Sequence, residues 1–484
     1  MVTRGRVRST VLLVVGLALL GIVPARAASP TVIVLPGVPN IAVPPNELPA
    51  VWVPCVLRQT PIQLGVSEVG RVDVDARTQD ITLHSTALQA DSHIDVLLPT
   101  GFDPHVRYPV LYLLHGALGN YTNWTAHGVA AIVGDLPLIV VMPDDSPNGS
   151  YSDWFGTELT DVGGRPDAWE SYHLGELVPW VDVHFPTIAS PAGRFIAGLS
   201  SGGGGAMKYA AAHPGVFGAA GEFSGAVDTD LPNYHFIADL LFFTTYIPGG
   251  GSHPAHCTWG DPNSNEVVWR DNDPTYLAAN LAGTRLYLAT GNGQPGELDD
   301  PNSGPDVVES TVHDMNVAFD AALTDAGIAH TDDFYGNGHH AWPYWTRDLQ
   351  RFLVWLQPAA LTPSAAPDGF SVRSARSTFA AWDWTFTPHR AVTELAYVSG
   401  ASVRGLTVTG SGTLDIVTAA LYAPGAAYRL TAGATPATTV LADTAGRLHF
   451  TVDLGPSHTT QQAAFGPDAT AGWTTVTATI EPSP

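Results

Sequence analysis

Five residues, Gly198-Leu199-Ser200-Ser201-Gly202, constrain this chain more than any other segment. They stand between RFIAGL (194–199), an apolar strand-like run, and GGGGAMKYAAAHP (202–214), a Gly-rich helix start that stops near Pro214. A turn from strand to helix this sharp needs small residues on both flanks, and it projects the side chain at its tip from the carboxyl end of a sheet. G-x-S-x-G in that setting predicts a strained turn that presents the Ser200 hydroxyl. Ser201 is the alternative hydroxyl, one residue past the tip.

The segments around the turn extend the pattern. Strand-like runs recur at ITLHST (81–86), HIDVLLP (93–99), VLYLLHG (110–116) and LIVVMPDD (138–145), and resume at RLYLATGNG (285–293) and HTDDFY (330–335). Between and after them, 168–185, Ser310–Ala326 and Trp345–Leu356 have helical character. The apolar runs are nearly continuous, not alternating, which suits parallel strands buried on both faces by helices. The fold class expected is α/β, with a mostly parallel sheet over residues 62–358. A Pro/Ala linker follows at 359–369. From 370 to 484 short strands with turn signals every 8–12 residues and no helix predict an antiparallel β-sandwich.

Composition narrows the partners. The 484 residues carry 21 Lys plus Arg against 45 Asp plus Glu, a formal charge of −24, so no run of nucleic-acid phosphates could be neutralised. Lys208 is the single lysine, which leaves Schiff-base and P-loop chemistry almost without candidates. Arg4, Arg6 and Arg8 precede an apolar run from Val11 to Val23 and the small-residue pattern Ala25-Arg26-Ala27. Residues 1–27 therefore read as a secretory leader whose apolar run is too short to span a bilayer, and export is expected. Residues 28–61 read as a Pro-rich extended arm. An oxidising compartment would permit a bridge between Cys55 and Cys257, the only two cysteines; two separate thiols are the alternative. Asn120, Asn123 and Asn148 match the glycosylation acceptor pattern. No metal site or cofactor is implied; the Glu297–Asp300 acids read as a solvated loop.

A serine nucleophile needs a base, usually His, held by a carboxylate. Among the histidines after Ser200, the best placed lie in NGHHAWPYW (337–345), after a strand and before a helix. His213 reads as a helix-end residue, and those from His389 onward belong to the β-rich part. Spacing alone does not separate His339 from His340. An oxyanion hole needs two backbone N–H groups: one from Ser201, the other from the His115-Gly116-Ala117 loop, in which His115 itself reads as structural.

With these residues in view, the chain resembles the α/β-hydrolase superfamily of esterase D/S-formylglutathione hydrolase and the mycolyltransferases, over roughly residues 75–358. YPVLYLLHGALGNYTNW resembles that family's oxyanion strand and loop, and GLSSGG its elbow. SYSDWF (150–155), AWESYHLGELVPWV (168–181), the 259–274 segment, GNG (291–293) and NGHHAWPYW are similar to the secreted mycolyltransferase branch. The resemblance implies that the base is His340, which precedes Ala-Trp-Pro-Tyr-Trp, and that Ala117 gives the second oxyanion amide. It implies Glu309 as the acid, whereas the esterase D branch would point to Glu297 or Asp299. The LLHG loop is that of the esterases, and the β-rich part lies outside the family pattern.

The reading that results is a secreted serine carboxylic-ester hydrolase using Ser200, His340 and Glu309. Its substrate is an ester or glycolipid, and the β-rich part is a possible contact to a polymer or the cell surface. The alternatives are an acyltransferase to trehalose or envelope glycolipids, and a non-catalytic adhesion or matrix-binding protein. Trp382, Trp384 and Trp473 offer either a sugar platform or core packing.

Overall fold

The computed structural model describes residues 31–33, 41–43, 55–57, 61–146, 149–158, 167–229, 255–260, 262–357, 367–460 and 472–483, the first three segments as backbone only. The expected leader, most of the arm and linker, Asn148 and the Cys55 side chain lie outside the described residues. The chain divides into two units, Met1–Trp52 and Val53–Pro484. In the first, Thr31–Ile33 pairs antiparallel with Ile41–Val43. All that follows concerns the second.

Its largest sheet has nine strands: β1 (Val66–Asp73), β2 (Thr78–Ser85), β3 (Ala90–Leu97), β4 (Val110–Leu114), β5 (Ile139–Pro143), β6 (Arg194–Leu199), β7 (Ala219–Phe223), β8 (Arg285–Gly291) and β9 (His330–Gly336), in the order β9-β8-β7-β6-β4-β5-β3-β2-β1. From β9 to β5 every pairing is parallel. The parallel strands β4, β5, β6 and β8 read as largely apolar runs because both faces are covered. On β4, Val110, Tyr112 and Leu114 join one apolar core, and Leu111 and Leu113 the other. The fold is that of an α/β-hydrolase. Helix α1 (Ser201–Ala212) lies between β6 and β7, and α2 (Val307–Asp325) and α3 (Trp342–Leu356) flank β9.

Three features differ from the sequence expectation. The β1–β3 edge is antiparallel, because the β2–β3 connection is a tight turn, with Gln89 at φ 56°, and a hairpin cannot join parallel strands. Helices α2 and α3 each start three residues early. The Asp306 side chain caps α2, and Pro343 sits in the first turn of α3, where its missing N–H costs nothing. Strand β7, AAGEF, was not foreseen at all, since Ala and Gly carry no strand signal.

The C-terminal strands are β10 (Phe370–Ser374), β11 (Phe379–Ala381), β12 (Trp384–His389), β13 (Ala396–Ser402), β14 (Gly405–Gly410), β15 (Thr413–Val417), β16 (Ala427–Ala432), β17 (Thr438–Leu441), β18 (His449–Asp453) and β19 (Thr474–Pro482). They form a six-stranded sheet, β10-β13-β14-β19-β16-β17, and a four-stranded one, β11-β12-β15-β18. Alternate residues, such as Val476, Ala478 and Ile480, face a shared core, as half-exposed strands require. Trp384 is in that core. Trp382 is buried too, against Gly215 and Gly283 of the α/β part, and Trp473 packs on Tyr397. Core packing thus accounts for Trp382 and Trp384.

The two parts are tied by polar contacts. Asn280 exchanges two hydrogen bonds with the Arg373 backbone, at 3.0 and 2.9 Å. Arg376 reaches across to the buried Glu170, which also receives His213 (2.6 Å) and faces Lys208 (3.4 Å). Burial alone would raise the Glu170 carboxyl, but Arg376 and Lys208 overcome it and hold the group well below the usual carboxylate range. Removing one partner of a buried pair leaves an uncompensated charge. Arg376→Met is therefore expected to lower the unfolding free energy by about 3–5 kcal/mol in chemical denaturation.

Candidate active site

The Ser200 turn has the strain its sequence predicts. Ser200 sits at φ 54°, ψ −124°, outside the regions L-residues favour. Glycine is needed on both flanks: a Cβ on Gly198 would lie 2.4 Å from the Gly202 carbonyl oxygen, and one on Gly202 would lie 2.3 Å from that of His115. The turn is held by Ser200 N–H donating to Phe223 O (2.9 Å), and by Gly204 and Ala226 N–H donating to Ser200 O (3.1 and 3.3 Å).

Ser200, His340 and Glu309 form one hydrogen-bonded line. His340 Nδ1 lies 2.7 Å from Glu309 Oε2, and Nε2 lies 2.8 Å from Ser200 Oγ. A carboxylate only accepts, so Nδ1 carries the proton and Nε2 is left to accept from the serine hydroxyl. Glu309 is fully buried. Its other oxygen accepts from Gly291 N–H (2.7 Å), Ser224 Oγ–H (2.8 Å) and Thr290 Oγ1–H (3.2 Å).

The competing candidates are elsewhere. Glu297 is exposed, and its nearest cation is Arg347 at 3.8 Å. Asp299 turns inward to His339 (3.2 Å), the Tyr344 hydroxyl (2.9 Å) and Gly296 N–H (2.8 Å), and so braces the loop beside the site. His115 accepts from Asp145 N–H at Nε2 (3.1 Å), so its Nδ1–H donates to Gly116 O (2.8 Å), a scaffold arrangement. Ala117 follows Gly116, whose Cβ position would be 3.2 Å from that of Ser200, so the loop passes directly over the elbow. Ser201 is the first residue of α1, where an amide has no partner within the helix.

Sequence reading missed Ser224, Thr290 and Asp306. Ser224 stands at φ 52°, a second strained serine, and only the GNG motif next to Thr290 hinted at that corner. The described residues hold no cluster of His, Cys, Asp and Glu fit for a metal ion. Behind the line lie two more buried carboxyls. Glu222 accepts from Gly225 and Ala289 N–H, and burial raises it well above its ordinary range. Asp348, also fully buried, is raised by burial to about 7 despite Arg347 alongside.

A carboxyl raised on folding binds more protons folded than unfolded between the two pKa values, so stability falls as pH rises through that window. For Asp348 the window runs from about pH 4 to 7, at about 1.4 kcal/mol per unit. Asp348→Asn should remove that slope. Its unfolding free energy should gain on wild type as pH rises from 4 to 7, as followed by urea titrations at each pH.

An esterase of Mycobacterium tuberculosis is 29% identical over 307 residues, covering 62% of this chain and 64% of that protein; the chain thus spans less than two thirds of that relative. Diacylglycerol acyltransferase/mycolyltransferase Ag85B of Mycobacterium leprae is 32% identical over 256 residues, covering 51% of this chain and 75% of that one. Among solved structures, an S-formylglutathione hydrolase from Agrobacterium tumefaciens has 18% identity and a TM-score of 0.46, over 60% of this chain and 99% of that one. The model of the family described as "Putative esterase" matches residues 85–356, from the end of β2 to the end of α3. By that match, over more than half its length, the chain belongs to the esterase family.

Proposed function

We propose that this chain is a serine carboxylic-ester hydrolase whose catalytic domain is residues 62–358. The observation that carries the proposal is the unbroken line from Ser200 Oγ through His340 to Glu309 Oε2, with contacts of 2.8 and 2.7 Å. Ser200 Oγ attacks the ester carbonyl while His340 Nε2 takes its proton. The Ala117 and Ser201 amides receive the oxyanion, and Glu309 stabilises the imidazolium. The tetrahedral adduct collapses as His340 returns the proton to the departing alcohol, which leaves an acyl group on Ser200. Water, activated by His340, then releases the acid.

Transfer to a second alcohol uses the same acyl-enzyme. The resemblance to an acyltransferase at 32% identity favours it as the second reading, with trehalose or an envelope glycolipid as acceptor. An adhesion role would have no use for a strained elbow, which costs about 1–3 kcal/mol. Export is supported by the leader-like residues 1–27 and by Cys257, which is disulfide-bonded. Among the described residues no helix is long and apolar enough to cross a membrane.

The test is p-nitrophenol release from C2 to C16 acyl esters. Wild type should be active, and Ser200→Ala should lose that activity. Glu309→Gln should lower kcat on the order of 10³–10⁴-fold by leaving His340 in the wrong tautomer. Acylated trehalose in preference to free acid would turn the reading to transfer, and equal inactivity of wild type and Ser200→Ala would overturn it.

A further inference from the structure

The proposed chemistry leaves one carboxylate beside the relay without a role. Asp306 immediately precedes α2, and its Oδ1 accepts from the backbone N–H of Val308 (2.9 Å) and Glu309 (3.1 Å). Its Oδ2 does something a helix cap does not require: it accepts from the backbone N–H of His340 at 3.0 Å. The Asp306 N–H in turn donates to Gly293 O (2.7 Å), Gly293 N–H to Gly338 O (3.0 Å), and Gly338 N–H to Gln294 O (2.8 Å). Three loops meet at this one residue: the GNG turn after β8, the start of α2, and residues 337–341 between β9 and α3.

We propose that Asp306 is a positioning residue of the catalytic relay, one carboxylate that fixes the helix bearing Glu309 and the loop bearing His340 with one oxygen each. The inference rests on the reading of Ser200, His340 and Glu309 given above. Residues 337–340 belong to no strand or helix, and Ala341 only receives the first bonds of α3 at its carbonyl, whereas Glu309 is fixed by its helix and its burial. Tying both backbones to the same carboxylate sets the spacing at which Nδ1 meets Oε2. Capping alone needs a single oxygen, and Asn or Ser supplies it as well as Asp does. Only a carboxylate accepts at both ends. Asn would turn an N–H₂ toward the His340 N–H, and Ser has no second oxygen.

Asp306→Asn and Asp306→Ser therefore separate the two roles. Both should keep a thermal midpoint close to wild type. Turnover of p-nitrophenyl esters should fall about 10- to 100-fold in kcat, as for a misplaced catalytic group, with KM within about twofold. In proton NMR, the far-downfield signal of the His340–Glu309 hydrogen bond should shift or broaden in both. Wild-type kcat in the two folded variants overturns the inference, as does a loss of kcat that merely tracks loss of folded protein with the proton signal unchanged. Equal inactivity of wild type and Ser200→Ala would instead sink the esterase reading; the proton signal needs no substrate and still tests the tether.

Discussion

One backbone conformation organises the α/β part: Ser200 held at φ 54° between β6 and α1. That geometry is unfavourable by about 1–3 kcal/mol and persists only where the surroundings over-determine it. The surroundings here are chiefly residues 223–226. Phe223 O receives the Ser200 N–H, and Ala226 N–H binds the Ser200 carbonyl. Between them Ser224 donates its N–H to Ala289 O (2.7 Å) and its hydroxyl to Glu309. Asn316, two turns along α2 from Glu309, donates to Gly225 O at 3.0 Å. The turn that strains the nucleophile is thus also the turn that cradles the acid, so Ser200 and Glu309 are placed by shared backbone and not by separate devices.

Electrostatics follows from that crowding. Glu222, Glu309 and Asp348 are all fully buried within one end of the sheet and its flanking helices. Burial pushes Glu222 and Asp348 up, and the neighbouring Glu309 charge contributes in the same direction. Glu309 is the one that meets an imidazole, and three donors converge on its other oxygen. Charging all three would be costly at such proximity, and Glu222 and Asp348 accordingly keep their protons to higher pH than an ordinary carboxyl.

The sequence carried the parts of this site whose chemistry forces a local pattern. Steric necessity writes Gly198 and Gly202 into the chain, so Ser200 could be named at once. His340 and Glu309 are different: their own surroundings in sequence do not distinguish them from His339, Glu297 and Asp299, and the family resemblance decided. The structure places Glu309 in the first turn of α2 and the other four in the loops beside it, and gives each a distinct partner, which no spacing rule encodes. Ser224 and Asp306 act through single side-chain oxygens on distant backbone, and a lone serine or a helix-start aspartate leaves no mark beyond the ordinary. Strand β7 was hidden for a related reason. A strand packed between β6 and β8 under α1 is made of Ala and Gly because space is short, and small residues carry no periodicity to read.

The C-terminal sheets bear on the same helix from its other end. Helix α1 begins at the residue after the nucleophile, and every residue from Gly202 to Ala212 is buried. Near its end Lys208 donates to Ser152 Oγ at 2.6 Å and faces Glu170, and His213, the residue that caps it, binds the same Glu170 carboxylate. Arg376, from the connection after β10, completes that cluster, and Trp382 N–H donates to Pro214 O at 2.8 Å just past the helix. A helix whose first turn must hold a strained serine gains from being unable to slide or tilt, and these charges anchor its far end. The β-rich part is therefore continuous with the catalytic scaffold in a mechanical sense: its first hairpin closes the socket in which the elbow helix is seated.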